Sequence, residues 1–150
     1  MKKTVVLLVV AIVLALTGCS SPKDTTSICT PGSQDTIVKQ VEYSYNKDGK
    51  LTKYTLNYEY TVESTGYEED HYVSLLESFT QHVASQNGLT HKYEVKNSII
   101  TEEMTLDPKV ASITDAKRLG ILPQGSPDVL TGDALTEVFT KEGLVCAVSE

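Results

Sequence analysis

The chain contains 150 residues, with 13 Lys and Arg against 20 Asp and Glu, so its formal net charge is −7. This length fits one domain, because globular domains usually contain on the order of 100 to 150 residues. With 40% hydrophobic and 22% charged residues, the composition excludes collagen-like, low-complexity and wholly disordered proteins.

The N-terminus has the pattern of a bacterial lipoprotein signal peptide. Two lysines precede an apolar run over residues 5–16, which is too short to cross a bilayer because a membrane helix needs about 20 apolar residues. The run ends in the sequence LTGC at residues 16–19, which is a lipobox. We therefore predict that residues 1–18 are a cleaved signal peptide and that Cys19 is lipidated. The alternative is a secreted protein in which that cysteine stands by chance.

Cleavage after Gly18 removes two lysines and no acidic residue, which changes the net charge from −7 to −9. Nucleic-acid phosphates and anionic lipid head groups repel so acidic a protein, and we expect no nucleic-acid partner. The lipid anchor is then the contact with the membrane. The expected location is the extracytoplasmic face of the cell membrane.

Residues 19–35 are rich in Ser, Thr, Pro and Gly and are predicted to be a flexible tether that starts at the lipidated cysteine. Cys29 and Cys146 are the two thiols that remain. Because the extracytoplasmic side permits disulfides, we predict that they pair. The alternative is two free thiols, with Cys146 buried as a small hydrophobic residue and Cys29 mobile.

From Thr36 onward the pattern has a period of two, which predicts one strand up to residue 45 and a second over residues 52–63. Asp48 and Gly49 predict a two-residue turn of type I′ between them. The resulting register pairs Tyr45 with Thr52, Tyr43 with Tyr54 and Val41 with Leu56.

An amphipathic helix is predicted after this hairpin. Thr65 and Glu68 have the spacing of a capping box, and Gly88 is the expected residue just past the helix end. The apolar residues between them recur at helical spacing: Tyr72, Leu75, Leu76, Phe79 and Val83.

A second hairpin follows over residues 89–96 and 99–106, with a turn at Asn97 and Ser98. Its expected register pairs Lys96 with Ile99, Val95 with Ile100 and His91 with Met104. Beyond it, Pro108, Pro123 and Pro127 interrupt the chain, and Thr114 and Asp133 are predicted to cap short helices. Residues 144–148 alternate as a short edge strand.

Residues 36–150 are therefore predicted to form a single α+β domain. The element order is β-β-α-β-β, an antiparallel sheet with helices on one face, followed by short C-terminal helices.

A family resemblance rests on the lipobox, the tyrosine-rich hairpin, the helix, the run GLTHKYE at residues 88–94 leading into TEEMTLD at residues 101–107, and the closing helix over residues 135–143. Together these segments resemble the YehR-like lipoproteins, a bacterial family without an assigned activity. The resemblance implies an α+β fold and a surface location, and it supplies no catalytic residue. The chain departs from the family pattern at Pro108, in its Cys29 and Cys146 pair and in its proline-rich residues 123–127.

The sequence predicts neither a cofactor nor a metal site. His71 and His82 lie eleven residues apart on one predicted helix, which separates them by about 16 Å at 1.5 Å per residue. No nucleophile elbow, phosphate-binding glycine loop or Cys-x-x-Cys motif is present. Glu102, which points toward the core beside Tyr93 and His91, is either a general acid or, as we favour, a structural carboxylate bonded to a tyrosine.

Tyrosines crowd one face of the first hairpin. We expect this stripe to be core, packed under the helix against Leu75, Leu76 and Phe79, with its hydroxyls at the rim. The alternative is a ligand groove, for which the candidate binding residues are Tyr43, Tyr54, Tyr58 and Tyr60.

The predicted function is that of a non-enzymatic binding module of the cell envelope, whose partner is an envelope protein or a small ligand of unknown identity. Two alternatives remain. Residues 11–18 are similar in type to peptide pheromones released from lipoprotein signal sequences, and Glu102 with the histidines leaves open an envelope enzyme of unknown chemistry.

Overall fold

The computed structural model describes residues 23–32 and 37–149 of the chain. Its strands are β1 (Thr25–Pro31), β2 (Val38–Tyr45), β3 (Leu51–Thr61), β4 (Leu89–Lys96), β5 (Ile99–Leu106) and β6 (Leu144–Ser149). Its helices are α1 (Val62–Thr65), α2 (Glu69–Ala84), α3 (Ile113–Arg118) and α4 (Gly132–Lys141).

The strands form one six-stranded antiparallel sheet in the order β4-β5-β3-β2-β1-β6. Alternate side chains on one face are buried, as Val41, Leu56 and Ile100 show, whereas Lys92 and Glu103 on the other face are exposed. The predicted α+β class, with an antiparallel sheet and a few helices, is confirmed.

The prediction of a flexible tether over residues 19–35 is wrong for residues 25–31, because these residues form strand β1 inside the sheet. β1 pairs with β2 on one side and with β6 on the other, so its backbone hydrogen bonds are made within the sheet. Its inward side chains, Ser27 and Cys29, are buried although they are small and weakly hydrophobic. The segment therefore lacks the large apolar residues by which a strand is recognised.

The turn of the first hairpin also differs from the prediction. Gly49 has φ of +75°, but Asp48 does not lie in the left-handed region that a type I′ turn requires. The side-chain oxygen of Asn46 instead accepts hydrogen bonds from the backbone amides of Asp48 and Lys50, both at 3.0 Å. Asn46 thus holds a three-residue loop, a type I turn followed by a left-handed glycine.

This longer loop changes the strand register only beside the turn. Tyr45 pairs with Leu51 rather than with Thr52, and a bulge restores the register one residue further along the strand. The predicted pairs of Tyr43 with Tyr54 and of Val41 with Leu56 are confirmed.

The second hairpin has the predicted register throughout, from Lys96 opposite Ile99 to His91 opposite Met104. Both turn residues adopt left-handed conformations, with φ of +53° at Asn97 and +60° at Ser98. A two-residue turn of type I′ requires these conformations, and asparagine tolerates them better than most residues do.

The predicted capping box of Thr65 and Glu68 is not formed. Thr65 ends the short helix α1, and α2 begins separately at Glu69 after a left-handed glycine at Gly66. Glu68 occupies the N-cap position of α2 without a side-chain capping bond. The N-cap residues of the C-terminal helices, Ser112 and Thr131, each lie two residues before the predicted cap.

Two helices cover the two halves of the buried sheet face. α2 packs over β3, β5 and β4 through Leu76, which lies in a buried cluster with Tyr60 and Ile100. α4 covers β2 and β3 with Phe139, whose ring centroid lies 6.1 Å from that of Tyr43 and 6.4 Å from that of Tyr54.

The core position predicted for Leu75 is wrong, because 43% of this residue is exposed. The ring that faces Tyr43 and Tyr54 comes from α4 rather than from α2. No helix among the described residues is long and apolar enough to cross a membrane.

Candidate functional site

A pocket of about 370 Å³ lies where β3 ends and the chain continues through α1 into α2. Four of its lining residues are tyrosines: Tyr58 and Tyr60 from β3, Tyr67 from the loop after α1, and Tyr72 from α2. Ile37, Ser64, Thr65 and Glu102 complete the lining. We call this cavity the tyrosine pocket.

The pocket forms here because the side chains of β3 point alternately to the two faces of the sheet. Tyr58 and Tyr60 share the buried face of this strand, but they lie at its end, past the part of the sheet that Phe139 covers. The left-handed Gly66 then reverses the chain, so that Tyr67 and Tyr72 return over the strand end.

The tyrosine rings support one another. The Tyr60 and Tyr72 rings meet edge to face, with centroids 6.2 Å apart, and the Tyr67 ring stacks on that of Tyr72 at 5.9 Å. The ring centroids of Tyr67 and His71 lie 5.3 Å apart. Such aromatic contacts fix ring orientation, and the wall of the pocket is therefore preorganised.

A chain of polar side chains runs from the pocket into the core. The Tyr72 and Tyr60 hydroxyl oxygens lie 2.9 Å apart, and the Tyr60 hydroxyl donates to Oε1 of Glu102. Oε2 of Glu102 lies 2.7 Å from Nε2 of His91, and Nδ1 of His91 lies 2.7 Å from the Thr80 hydroxyl.

The direction of these hydrogen bonds follows from Thr80, the last of these side chains. The Thr80 hydroxyl donates its only hydrogen to the Leu76 carbonyl at 2.7 Å, so it accepts a hydrogen bond from Nδ1 of His91. His91 is therefore protonated at Nδ1. Between Nε2 of His91 and Oε2 of Glu102 one proton is needed, because two lone pairs or two hydrogens at 2.7 Å would repel each other. Whichever atom holds that proton, the pair has no net charge.

This arrangement places Glu102 as a buried carboxyl group that is hydrogen-bonded on both sides. Within the described residues, Tyr60 engages one carboxylate oxygen and His91 engages the other, and the shared proton lies on the side away from the pocket. His91 is itself held between Phe79, whose ring centroid lies 4.8 Å away, and Tyr93 at 6.1 Å. The favoured interpretation of Glu102 as a structural carboxylate is consistent with this geometry.

The pocket tyrosines on β3 are held in their neutral form. Burial raises the pKa of Tyr60 above its ordinary value, and the hydrogen bond to Glu102 raises it further. Burial also raises the pKa of Tyr58 above its ordinary value.

A second depression, of about 480 Å³, lies on the uncovered face of the sheet. Its walls include the exposed charged residues Glu59, Lys92, Glu94 and Glu103, of which Lys92 and Glu103 approach each other to 3.9 Å across the strands. These solvated side chains offer little buried contact area. The tyrosine pocket combines aromatic area with convergent polar groups, which is the usual composition of a small-molecule site.

No group of three His, Cys, Asp or Glu side chains converges in a metal-binding geometry within residues 23–32 and 37–149. Cys29 and Cys146 form a disulfide, with their Cα atoms 4.0 Å apart on the neighbouring strands β1 and β6. The predicted lipidation residue Cys19 lies outside the described residues.

The sequence matches no protein-family model and no curated protein sequence. The NMR structure of the E. coli YehR protein is similar, with a TM-score of 0.70 and 15% identity over 87% of this chain and 95% of that one. An NMR structure of a protein from Streptococcus pneumoniae TIGR4 has a TM-score of 0.61 and 14% identity, covering 87% of this chain and 88% of that one. The chain has a YehR-like fold. At these identities the likeness concerns the fold alone.

Within the YehR-like fold, the four candidate ligand residues separate into two pairs. Tyr58 and Tyr60 line the tyrosine pocket. Tyr43 and Tyr54 lie in the core, where their hydroxyls bond to the Thr136 hydroxyl at 2.5 Å and to the Ile121 carbonyl at 2.7 Å. A ligand-binding role is therefore wrong for Tyr43 and Tyr54, and core packing is the correct interpretation for both.

Sequence reasoning missed Tyr67 as a site residue and placed Tyr72 only on the apolar stripe of the helix. The available signal was the polar segment ending in Gly66, which interrupts the predicted continuous passage from strand to helix. A loop at that point brings the residue after the glycine back over the strand end.

Proposed function

We propose that the protein is a lipoprotein held at the extracytoplasmic face of a bacterial cell membrane, where it serves as a non-enzymatic binding module. The short apolar run and the LTGC lipobox at residues 16–19 support the anchor at Cys19. An acidic mature chain is consistent with attachment through lipid rather than through a basic surface.

Strand β1 limits the distance between such an anchor and the folded domain. Cys19 precedes Thr25, the first residue of β1, by six residues. A fully extended chain spans at most about 3.6 Å per residue, so the Cα atom of Thr25 would lie within about 22 Å of that of the lipidated cysteine. The domain would therefore sit close to the membrane surface.

The observation that carries the binding proposal is the tyrosine pocket. Its volume of about 370 Å³ suits a small molecule, since ligand sites usually enclose about 300 to 1,000 Å³. Stacked rings fix its wall, and the polar chain from Tyr60 to His91 fixes its base. Of the expected partners, these features favour a small ligand over an envelope protein.

The test is a pocket-filling substitution at Ser64, an exposed residue of the lining, compared with a matched change at Glu63, its exposed neighbour outside the lining. Wild type, Ser64→Trp and Glu63→Trp are extracted from membranes under mild conditions and examined by native mass spectrometry. We expect a bound small molecule in the wild type and in Glu63→Trp, and its loss in Ser64→Trp. Identical spectra for all three proteins would contradict the proposed site.

A further inference from the structure

The polar groups of the tyrosine pocket share an unusual property, which is that most of their hydrogens are already donated to the protein. The Ser64 hydroxyl donates to the Thr61 carbonyl at 2.7 Å, and the Thr65 hydroxyl donates to the Val62 carbonyl at 2.7 Å. The Ser64 oxygen therefore presents its lone pairs to any further partner, whereas the Thr65 oxygen accepts from the Tyr67 backbone amide at 3.2 Å and has one lone pair left.

The same holds for the two bonded tyrosines. The Tyr60 hydroxyl uses its one hydrogen on Glu102, so the hydrogen between the two hydroxyls must come from Tyr72. The Tyr72 oxygen is left as an acceptor. Within the described residues the Tyr58 and Tyr67 hydroxyls make no hydrogen bond, so their O–H hydrogens can turn away and leave an oxygen lone pair for a donor.

The charges around the pocket have one sign. Among the described residues that line it there is no Lys or Arg, and its one carboxyl group, that of Glu102, belongs to the pair with His91 that has no net charge. The elements that frame it add further acidic residues, since Glu63 lies in α1 and Glu69 and Asp70 in the first turn of α2. In the adjoining groove, which shares Ile37 and Tyr58 with the pocket, Lys39 is bound to Glu142 at 3.0 Å.

We propose that the tyrosine pocket binds the protonated primary amine of a small apolar molecule. An alkylammonium group carries three hydrogen-bond donors and no acceptor, which complements a lining of free oxygen lone pairs. A cation also gains from contact with tyrosine ring faces. The acidic surroundings disfavour carboxylates and phosphates. This inference rests on the proposed function, because it names the ligand class for the same pocket.

The first experiment compares three probes that differ only in their head group. Hexylammonium, hexan-1-ol and hexanoate are titrated separately into the purified protein, and the ring signals of the tyrosines are followed by carbon–proton NMR. Hexylammonium should shift the Tyr67 and Tyr72 signals saturably, and the alcohol should bind at least about two- to thirty-fold more weakly, the range a cation–π contact provides. Equal binding of the alcohol, or tighter binding of hexanoate, would overturn the inference.

A pair of variants at Tyr67 tests the role of the rings. Because 51% of Tyr67 is exposed, its replacement leaves the core intact. Tyr67→Ala should weaken hexylammonium binding by about two- to thirty-fold, whereas Tyr67→Phe, which keeps a ring face, should weaken it less. Val129→Ala, a change at a residue that is 69% exposed and lies outside the pocket lining, is the control and should bind like the wild type. An unchanged affinity in Tyr67→Ala would contradict cation–ring contact.

The failure of this inference can be told apart from the failure of the proposed function. If a neutral or anionic molecule occupies the pocket and Ser64→Trp removes it, the pocket is a binding site and the ammonium assignment is wrong. If Ser64→Trp changes the binding of neither the probes nor any membrane-derived molecule, the tyrosine pocket is not the binding site and both proposals fail.

Discussion

Cys29 lies directly opposite Cys146, and their disulfide joins the first strand of the sheet to the last. The bond links the edge strand β6 to β1, the strand that follows the proposed lipid anchor in the sequence. It also closes a loop of 117 residues, which is most of the described domain.

Reduction of this disulfide should lower the stability of the domain substantially. In the chain-entropy model, closing a loop of this length contributes about 5 kcal/mol to the free energy of unfolding. Urea melts of the wild type with and without a reductant should therefore differ by several kcal/mol. The Cys146→Ala variant should resemble the reduced wild type and should not respond to the reductant. A wild type that melts identically under both conditions would show that the bond adds no stability.

Two leucine truncations distinguish core from surface on the helix-covered side of the sheet. Leu56 is 1% exposed on the central strand β3, so Leu56→Ala should cost about 2 to 5 kcal/mol, as large-to-small changes in cores do. Leu75→Ala removes the same atoms from an exposed position on α2 and should cost well under about 1 kcal/mol. Equal costs in urea denaturation would mean that α2 packs through a different face.

The Glu102 carboxyl group should stabilise the domain through its hydrogen bonds to Tyr60 and His91. Glu102→Leu removes the acceptor of the Tyr60 hydroxyl hydrogen and leaves Nε2 of His91 without a partner in a buried place, and it should destabilise the domain by about 1 to 3 kcal/mol for each of the two groups. Glu102→Gln should be milder, because its amide can accept from Tyr60 and donate to a neutral His91. Thermal melts of the two variants provide the comparison. A Gln variant as unstable as the Leu variant would show that the charge, rather than the hydrogen bonding, is required.

Stability should decline in alkaline solution because of the buried tyrosines. Burial raises the pKa of Tyr54 and of Tyr60 above the ordinary value of 10.0, so the unfolded chain loses these protons first. Their contribution is fully present below pH 10.0 and is lost as the pH rises above it. Near-ultraviolet absorbance should show phenolate forming at higher pH in the native protein than in urea. Superimposed titration curves would contradict the burial of these rings.

A Tyr54→Phe variant separates the effect of the Tyr54 hydrogen bond on stability from the effect of its ionisation. At neutral pH it should be less stable than the wild type, because the Ile121 carbonyl loses the hydrogen bond it accepts at 2.7 Å. Above pH 10.0 its stability should fall less steeply, since one buried ionisable group is gone.

The parts of the fold that the sequence predicted are those determined by local pattern. Alternation placed Val41 opposite Leu56 and Val95 opposite Ile100, because a slip of one residue would turn each apolar face outward. Strand β1 could not be found in this way. Its inward Ser27 and Cys29 carry no strong apolar signal, and its position depends on pairing with β6 at the far end of the chain.

Only part of the candidate site could be predicted from the sequence, because its boundary also depends on contacts between residues that are distant in the chain. Tyr58 and Tyr60 belong to a stripe visible in the sequence, but the stripe alone does not show where helical cover ends. That boundary depends on Phe139 of α4, which is distant in sequence and covers Tyr43 and Tyr54 but not the strand end, where α2 packs through Leu76 against Tyr60. Tyr67 and Tyr72 reach the pocket only because α1 and α2 are separate helices joined at Gly66.

Lipidation at Cys19 is expected to control processing of the chain, and a second cysteine provides the matched control. Cys19→Ala should accumulate as an uncleaved precursor, because the thiol that receives the lipid within the lipobox is missing. Cys29→Ala removes a thiol only ten residues further on, but it leaves the lipobox intact and should be processed normally. Mass spectrometry of membrane extracts distinguishes lipidated mature chain from precursor. A wild type that retains residues 1–18, or that carries an unmodified Cys19 thiol, would exclude the proposed anchor and leave the tyrosine pocket in a differently located protein.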